Sequence, residues 1–336
     1  MNREPSSDRL FQLGLGFMAS RTFLIAVEFG LFSELAAGPL DAEEITRRLR
    51  LHRRSARDFV DALVAMGVLD RNDGRYSNTP GADRFLDHAK PTYIGAYFEM
   101  FSARLYRFWN DLGEALRTGK PQNETKLGED LFAALYAYQG LLRLFLRSMT
   151  GRTRACAQEL AKKFPWRKYR TVIDIGSAEG ALPTELALAH AHLSGGGFDL
   201  PPVTPIFEEY VRSYGLSDRL KFYPGDFFRE ALPSADVLTM GMILHDWDTE
   251  QKRELLRKAY DALPAGGALL VYEFLIDDER RKNLAGLLMS LTMLIETPGG
   301  SDYTGAECCG WMREAGFSEA SVKHLSGPHW MVVGIK

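Results

Sequence analysis

Three short stretches in the second half of the chain carry groups suited to holding a nucleoside. Gly176-Ser177-Ala178-Glu179-Gly180 follows the apolar run Val172-Ile173-Asp174-Ile175, a strand leading into a loop of small residues. Small residues let a ligand approach the backbone, and the amides that open the next helix favour a negative group. Asp199 closes a second strand, Gly196-Gly197-Phe198-Asp199, where a carboxylate can accept both hydroxyls of a ribose. After a third strand comes Gly225-Asp226-Phe227-Phe228, in which Asp226 suits an adenine amine and Phe227 its ring face. A lone glycine loop says little. Three loops in order, each with a fitting group, describe a cofactor that contains a nucleoside.

The loop chemistry separates the candidates. An NAD fingerprint needs Gly-x-Gly-x-x-Gly to admit a pyrophosphate. Here Ala178 stands where the second glycine belongs, and Glu179 would repel a phosphate. S-adenosylmethionine carries no phosphate and has a cationic sulfonium, so an acidic, less open loop is tolerable. The expected cofactor is S-adenosylmethionine.

The elements that must position these loops are a doubly wound, mostly parallel sheet. Strands are expected at Tyr169–Gly176, Gly196–Asp199, Leu220–Tyr223, Ala235–Leu244 and Ala268–Tyr272, with a hairpin around Gly327-Pro328 as an antiparallel edge. A helix over Ala181–Ala191 follows the loop, and Asp248-Thr249-Glu250-Gln251 is a capping box opening another. In such sheets ligands bind beyond the carboxyl ends of the strands. Before residue 165 the chain reads almost wholly helical, including stretches at about 92–118 and 128–163. Helices from Leu40 and Ser55 lead into Val68–Asn78, a strand, Asn-Asp-Gly turn and strand, which together make a winged-helix pattern. The expected domains are residues 1–164, helical and winged, for dimerisation and for covering substrate, and residues 165–336, which bind the cofactor.

Composition narrows the function classes. At roughly 150 residues per domain, 336 residues suggest two domains. With 46% apolar, 25% charged and 11% aromatic residues, a packed core is expected and disorder is not. Lys and Arg total 41 against 44 Asp and Glu, a net charge of -3, whereas a dedicated nucleic-acid binder carries a basic excess. The run from Arg47 to Arg57 sits where a DNA-reading helix would start, but Asp41, Glu43, Glu44, Asp58 and Asp61 balance it as a solvated face. Cys156, Cys308 and Cys309 are too few for a disulfide framework or a zinc site, and no His/Asp cluster with ligand spacing suggests a metal. The N-terminus lacks the order of a secretion signal, and runs such as Leu287–Ile295 are too short to span a bilayer. The expected compartment is the cytoplasm, with neither nucleic acid nor membrane as partner.

Five motifs occur in order: Asp174-Ile175-Gly176, Phe198-Asp199-Leu200-Pro201, Gly225-Asp226-Phe227-Phe228, Leu244-His245-Asp246-Trp247-Asp248 and Thr297-Pro298-Gly299-Gly300. That series resembles the cation-independent small-molecule O-methyltransferases, over nearly the whole chain. The resemblance implies a Rossmann-like fold with a seven-stranded sheet, preceded by an all-α winged-helix dimerisation domain, and a homodimer. It assigns Gly176, Asp199, Asp226 and Phe227 to S-adenosylmethionine and His245 to the general base. Plant members place two carboxylates around that imidazole, which match Glu273 and Asp302, the latter where those members have Glu. Plant members also carry Lys four residues before the His, where this chain has Gly241.

The chemistry is coherent. A phenol or enol is a poor nucleophile until its proton is removed, and histidine titrates near neutral pH. His245 would take that proton as oxygen attacks the methyl carbon, while Glu273 or Asp302 fixes the tautomer. A small hydroxylated, flat or aromatic acceptor is expected in a pocket between the domains, with Trp109 and Met149 as candidate contacts among aromatic and Met residues at helical spacing. Two alternatives stand beside this. One keeps fold and cofactor with N-, S- or C-methylation or a non-methylating reaction; the other is a winged-helix regulator that senses a ligand.

Overall fold

The computed structural model of the chain describes residues 4–124, 136 and 139–336. By backbone packing it divides into two units, one running to Arg107 and one from Phe108.

Local signals set the first unit. Ser6 caps α1 (Ser7–Gly14), which is followed by α2 (Gly16–Glu28) and α3 (Leu31–Ala36). After the short β1 (Leu40–Asp41), Asp41 and Glu44 form a reciprocal capping box on α4 (Ala42–Arg48), and α5 (Ala56–Ala65) follows. Asp73 and Gly74, both at positive φ, turn β2 (Leu69–Asn72) into β3 (Arg75–Asn78). The elements from α3 onward run helix, strand, helix, helix, hairpin. The unit is not all-α, however, because β1 joins the hairpin in a three-stranded sheet of order β1-β3-β2. Phe32, Ile45, Val60, Leu63 and Tyr76 fill its core, and α6 (Pro80–Leu86) and α7 (Gly95–Met100) complete it.

The second unit opens with α8 (Leu112–Thr118) and α9 (Gln139–Lys163). The helices before residue 165 were expected to belong with the winged region. Instead Cys156, Ala157 and Leu160 of α9 are buried against Val172, Leu182 and Leu186, so this helix packs as part of the second unit. Part of the expected 128–163 helix, residues 128–135, 137 and 138, lies outside the described residues.

The sheet has seven strands: β4 (Thr171–Ile175), β5 (Ser194–Asp199), β6 (Leu220–Pro224), β7 (Val237–Gly241), β8 (Ala268–Glu273), β9 (Glu319–Ser326) and β10 (His329–Ile335). Their order is β6-β5-β4-β7-β8-β10-β9, parallel except where β10 runs against β8 and β9. The chain leaves β4 toward β5 and later returns to β4's other side as β7, so a crevice opens at the carboxyl end of β4. Besides α9, the described residues form the crossing and flanking helices α10 (Ala181–Ala189), α11 (Thr204–Ser213), α12 (Thr249–Ala262), α13 (Leu284–Glu296) and α14 (Gly305–Ala315). Asp248 and Gln251 form the expected capping box on α12.

One strand is shorter than its apolar run. Ala235–Leu244 was expected to be extended throughout, yet β7 stops at Gly241 and Met242 takes a left-handed φ of 57°. A turn of 3-10 helix, Leu244–Asp246, follows. Leu244 stays buried after the chain leaves the sheet, so hydrophobicity alone could not show the strand's end. Among the described residues no single helix is long and apolar enough to cross a membrane.

Candidate active site

The loop after β4 is shaped by residues at positive φ: Gly176 (72°), Ala178 (49°) and Gly180 (87°). A Cβ on Gly176 would lie 2.2 Å from Ile243 Cδ1, so the position needs glycine for both backbone and space. Ala178 accepts the left-handed conformation without being glycine, a local strain that glycine-rich loops avoid. Glu179, expected to bear on the ligand, turns away: Thr150 Oγ1 donates to it at 2.6 Å and it does not line the cavity.

Asp199 ends β5 facing that loop. Its carboxylate accepts from Ala178 N at 2.9 Å and Leu200 N at 2.7 Å, with the Tyr136 hydroxyl at 3.4 Å. Burial pushes its pKa up to about 6, against the pull of the two backbone donors. Asp226 braces its own loop by accepting from Phe228 N at 2.9 Å, and Phe227 packs edge-on against Trp247 at 5.7 Å between ring centroids.

Gly176, Asp199, Asp226 and Phe227 all line one cavity of about 610 Å³, within the range of small-molecule sites. Met149 also lines it. Trp109, half-buried in a short turn, does not. Arg152 and Met242 line it and were not singled out from sequence, and Asp246 and Trp247, quoted only within the His-Asp-Trp motif, line it too. Arg152 sits within a long helix whose periodicity reads as an ordinary face, so no local signal could have found it. Its guanidinium lies 4.5 Å over the Phe274 ring, a placement that offers positive charge to a carboxylate in the cavity. Where plant members carry Lys, a Cβ on Gly241 would lie 1.9 Å from Tyr272 Cζ, so the Tyr272 ring from the paired strand fills that space.

A nucleoside with an amino-acid tail and no phosphate suits this set. The cavity lining offers two acids, Asp199 and Asp226, as acceptors, the Phe227 ring as a flat apolar face, and Arg152 as a cation.

Beside the cavity, His245, Glu273 and Asp302 converge, with one ligand-capable atom of each within 4.8 Å of the others, and all three are buried. His245 lies on the 3-10 turn after the strained Met242. Its Nδ1 is 3.5 Å from Asp302 Oδ1 and its Nε2 is 3.6 Å from Asp246 Oδ1, ion-pair rather than hydrogen-bond distances. Glu273 does not address the ring through a hydrogen bond. Its Oε1 accepts from Ile243 N at 3.2 Å and His245 N at 3.3 Å, so it grips the backbone that carries the imidazole. Burial opposes an imidazolium here, but Asp246, Asp302 and Glu273 outweigh it and push the His245 pKa up to about 10. This replaces the near-neutral titration expected from an isolated histidine. Burial likewise pushes Glu273 up to about 7, against the attraction of His245.

Comparison with known proteins then decides the family. A profile described as "O-methyltransferase domain" matches residues 109–318, and one described as "O-methyltransferase dimerisation domain" matches residues 11–88. The chain belongs to the O-methyltransferase family. It is 41% identical to the tetracenomycin polyketide synthesis 8-O-methyl transferase TcmO of Streptomyces glaucescens, over 97% of this chain and 96% of that one. Identity to the N,N-dimethyltransferase OxyT of Streptomyces rimosus is 35%, over 97% and 96%. Among solved structures, human N-acetylserotonin methyltransferase in complex with SAM superposes with a TM-score of 0.91 at 27% identity, covering 100% of this chain and 99% of that one. The protein is thus an S-adenosylmethionine-dependent O-methyltransferase, and its first unit contains the family's dimerisation domain.

Proposed function

We infer that this methyltransferase acts on a hydroxyl of a small aromatic acceptor of the polyketide kind, with His245 as general base. The observation that carries the reading is a buried imidazole flanked by a carboxylate at each ring nitrogen. S-adenosylmethionine, when bound, supplies a methyl carbon on a cationic sulfur. The chain does the rest. With Asp302 holding a proton at Nδ1, Nε2, which faces Asp246, is the nitrogen that takes the proton of the acceptor. Glu273 fixes the ring's backbone, and the three acids stabilise the imidazolium that forms. A phenol has a pKa of about 10, close to the value of about 10 that the acids impose on His245. Proton transfer between them is therefore nearly thermoneutral, and the deprotonated imidazole that accepts the proton becomes abundant only as pH rises. TcmO, by its name, methylates oxygen on a polyketide, which supports this acceptor class.

The test incubates the enzyme with S-adenosylmethionine carrying a labelled methyl group and a panel of hydroxylated polycyclic aromatics, with and without EDTA. Gain of one labelled methyl on oxygen, unchanged by EDTA, is expected. Loss in EDTA that is restored by a divalent cation would instead assign the His245, Glu273 and Asp302 cluster to a metal. OxyT favours a second reading, transfer to nitrogen, and methylation confined to amine members of the panel would establish it.

The functional unit is proposed to be a homodimer. Leu10, Phe11, Leu13, Phe17 and Met18 on α1 and α2 are exposed, Phe11 by 68%, and monomers rarely leave such an apolar row in water. Light scattering is expected to find a dimer, and the double change Phe11→Glu, Phe17→Glu a monomer. A monomeric parent protein at micromolar concentration would end the proposal.

A further inference from the structure

Lys252 stands in the first turn of α12 and is 1% exposed. Almost no lysine is fully buried without strong compensation, and the first turn of a helix is the wrong end for a cation. Among the described residues its ammonium finds only neutral acceptors within hydrogen-bond reach: Trp247 O at 2.7 Å and Ser301 Oγ at 3.3 Å. It also lies 5.5 Å from the centroid of the Tyr303 ring. Local structure alone gives no reason to place a charge here.

The reason is in the surroundings. Charged and titratable groups face Lys252 from every element packed around it. Asp246 and Asp248 come from the turn before α12, Glu273 from the end of β8, Asp302 and Tyr303 from the segment after Gly300, and Cys308 from α14. Glu296, at the end of α13, adds a further acid beside Asp246. Around His245 the carboxylates thus outnumber the imidazole, and Lys252 is the cation set among them. Its two hydrogen bonds also tie Trp247, two residues past His245, to Ser301, the residue before Asp302. The lysine bridges the two loops whose spacing sets the imidazole–carboxylate pair.

We propose that Lys252 is a positioning residue of the methyl transfer, a buried counter-cation that holds the His245 and Asp302 loops together and limits how tightly the acid cluster binds protons. Without it, the carboxylates act on the imidazole unopposed. Every proton-binding step of the cluster then moves to higher pH, because coupled sites titrate as a set. The lysine does not line the cavity. Its charge lowers the pH at which the base sheds its proton.

This inference rests on the reading of His245 as the base, and the experiment separates the two. The ring nitrogens of His245 are titrated by NMR in the parent protein and in Lys252→Gln and Lys252→Arg, the signals being assigned by their loss in His245→Ala. Lys252→Gln keeps hydrogen-bond donors without charge, and its His245 midpoint is expected to rise by about one pH unit, as for loss of a nearby cation. Lys252→Arg is expected to titrate near the parent. In turnover, the alkaline rise of kcat/KM should move to higher pH in Lys252→Gln, with cofactor affinity by calorimetry unchanged. An unmoved or lowered midpoint in a folded Lys252→Gln protein would overturn the counter-cation role, whatever its activity. If Lys252→Gln does not fold, a parent-like midpoint in Lys252→Met would overturn it equally. Full activity in His245→Ala would instead sink the base assignment and leave the titration result standing on its own.

Discussion

His245→Ala is expected to lower kcat by about 10²–10⁴-fold, the usual contribution of a general base, while S-adenosylmethionine still binds with parent affinity. The second half of that expectation is as important as the first. His245 sits outside the lining of the cofactor cavity, so a loss of cofactor binding in the variant would mean damage to the fold rather than removal of a base. The pH profile carries the sharper prediction. A base whose conjugate acid is held at about 10 is mostly protonated at neutral pH. Activity on a phenol should therefore keep rising with pH well above 6.5, where an unperturbed histidine would already have levelled off. Asp302→Asn removes one of the carboxylates that favour the imidazolium. Its rise should begin at lower pH, with a lower kcat because Nδ1 then faces a neutral amide instead of a carboxylate. A profile that levels near pH 6.5 in the parent enzyme would show that the acids do not act on His245 as their geometry implies.

The parts of this site that sequence made legible share one property. Gly176, Asp199, Asp226 and Phe227 each lie at or just past the carboxyl end of a parallel strand, and strand-end loops in a parallel sheet converge by topology. Knowing the strands was enough to bring those residues together, and all four line one cavity. Residues that enter the site from elsewhere carried no such mark. Arg152 projects from the middle of α9, and Tyr272 reaches its place only because β8 pairs with β7 in a register that puts it opposite Gly241. Trp109 and Met149 were chosen by the same criterion, a large side chain at helical spacing. Only Met149 lines the cavity, because periodicity marks an apolar face without saying what that face meets.

Charge was harder still to read. Asp246, Glu273 and Asp302 lie far apart in the chain, and their joint effect on His245 exists only once the fold superimposes their fields. Lys252 looks in sequence like any lysine on an amphipathic helix. Its burial depends on four separate segments closing around it. Even the domain limit shows the same distinction. The change from helical to alternating texture near residue 165 is real, yet α9 packs on the sheet because Cys156, Ala157 and Leu160 are the right size to cover Val172 and Leu182. Texture reports the kind of element, whereas packing decides where it belongs.

Asp199→Ala should weaken S-adenosylmethionine binding more than any other single change in the cavity. A charged acceptor contributes about 1.5–3 kcal/mol per hydrogen bond, so two ribose hydroxyls correspond to roughly 3–6 kcal/mol, or at least a hundredfold in Kd. The same carboxylate accepts from Ala178 N and Leu200 N, and its removal also frees the left-handed turn at Ala178 that shapes the glycine loop. Asp199→Asn tests the two roles apart. It retains an oxygen for one backbone amide, so the loop should survive better than in Asp199→Ala, but its amide cannot accept from both hydroxyls. The pH dependence supplies an independent check without mutation. Burial holds the Asp199 pKa at about 6, and the ribose requires the ionised form. Below that pH the carboxylate is protonated in the free enzyme, and each further unit should raise the apparent Kd about tenfold. Calorimetry between pH 4.5 and 8 would register this as a flat affinity above about 7 that falls away on the acid side. In Asp199→Asn the acid-side fall should vanish, because no proton is left to compete with the ribose. If the fall persisted there, another acid, Asp226 foremost, would be the group that titrates against the cofactor.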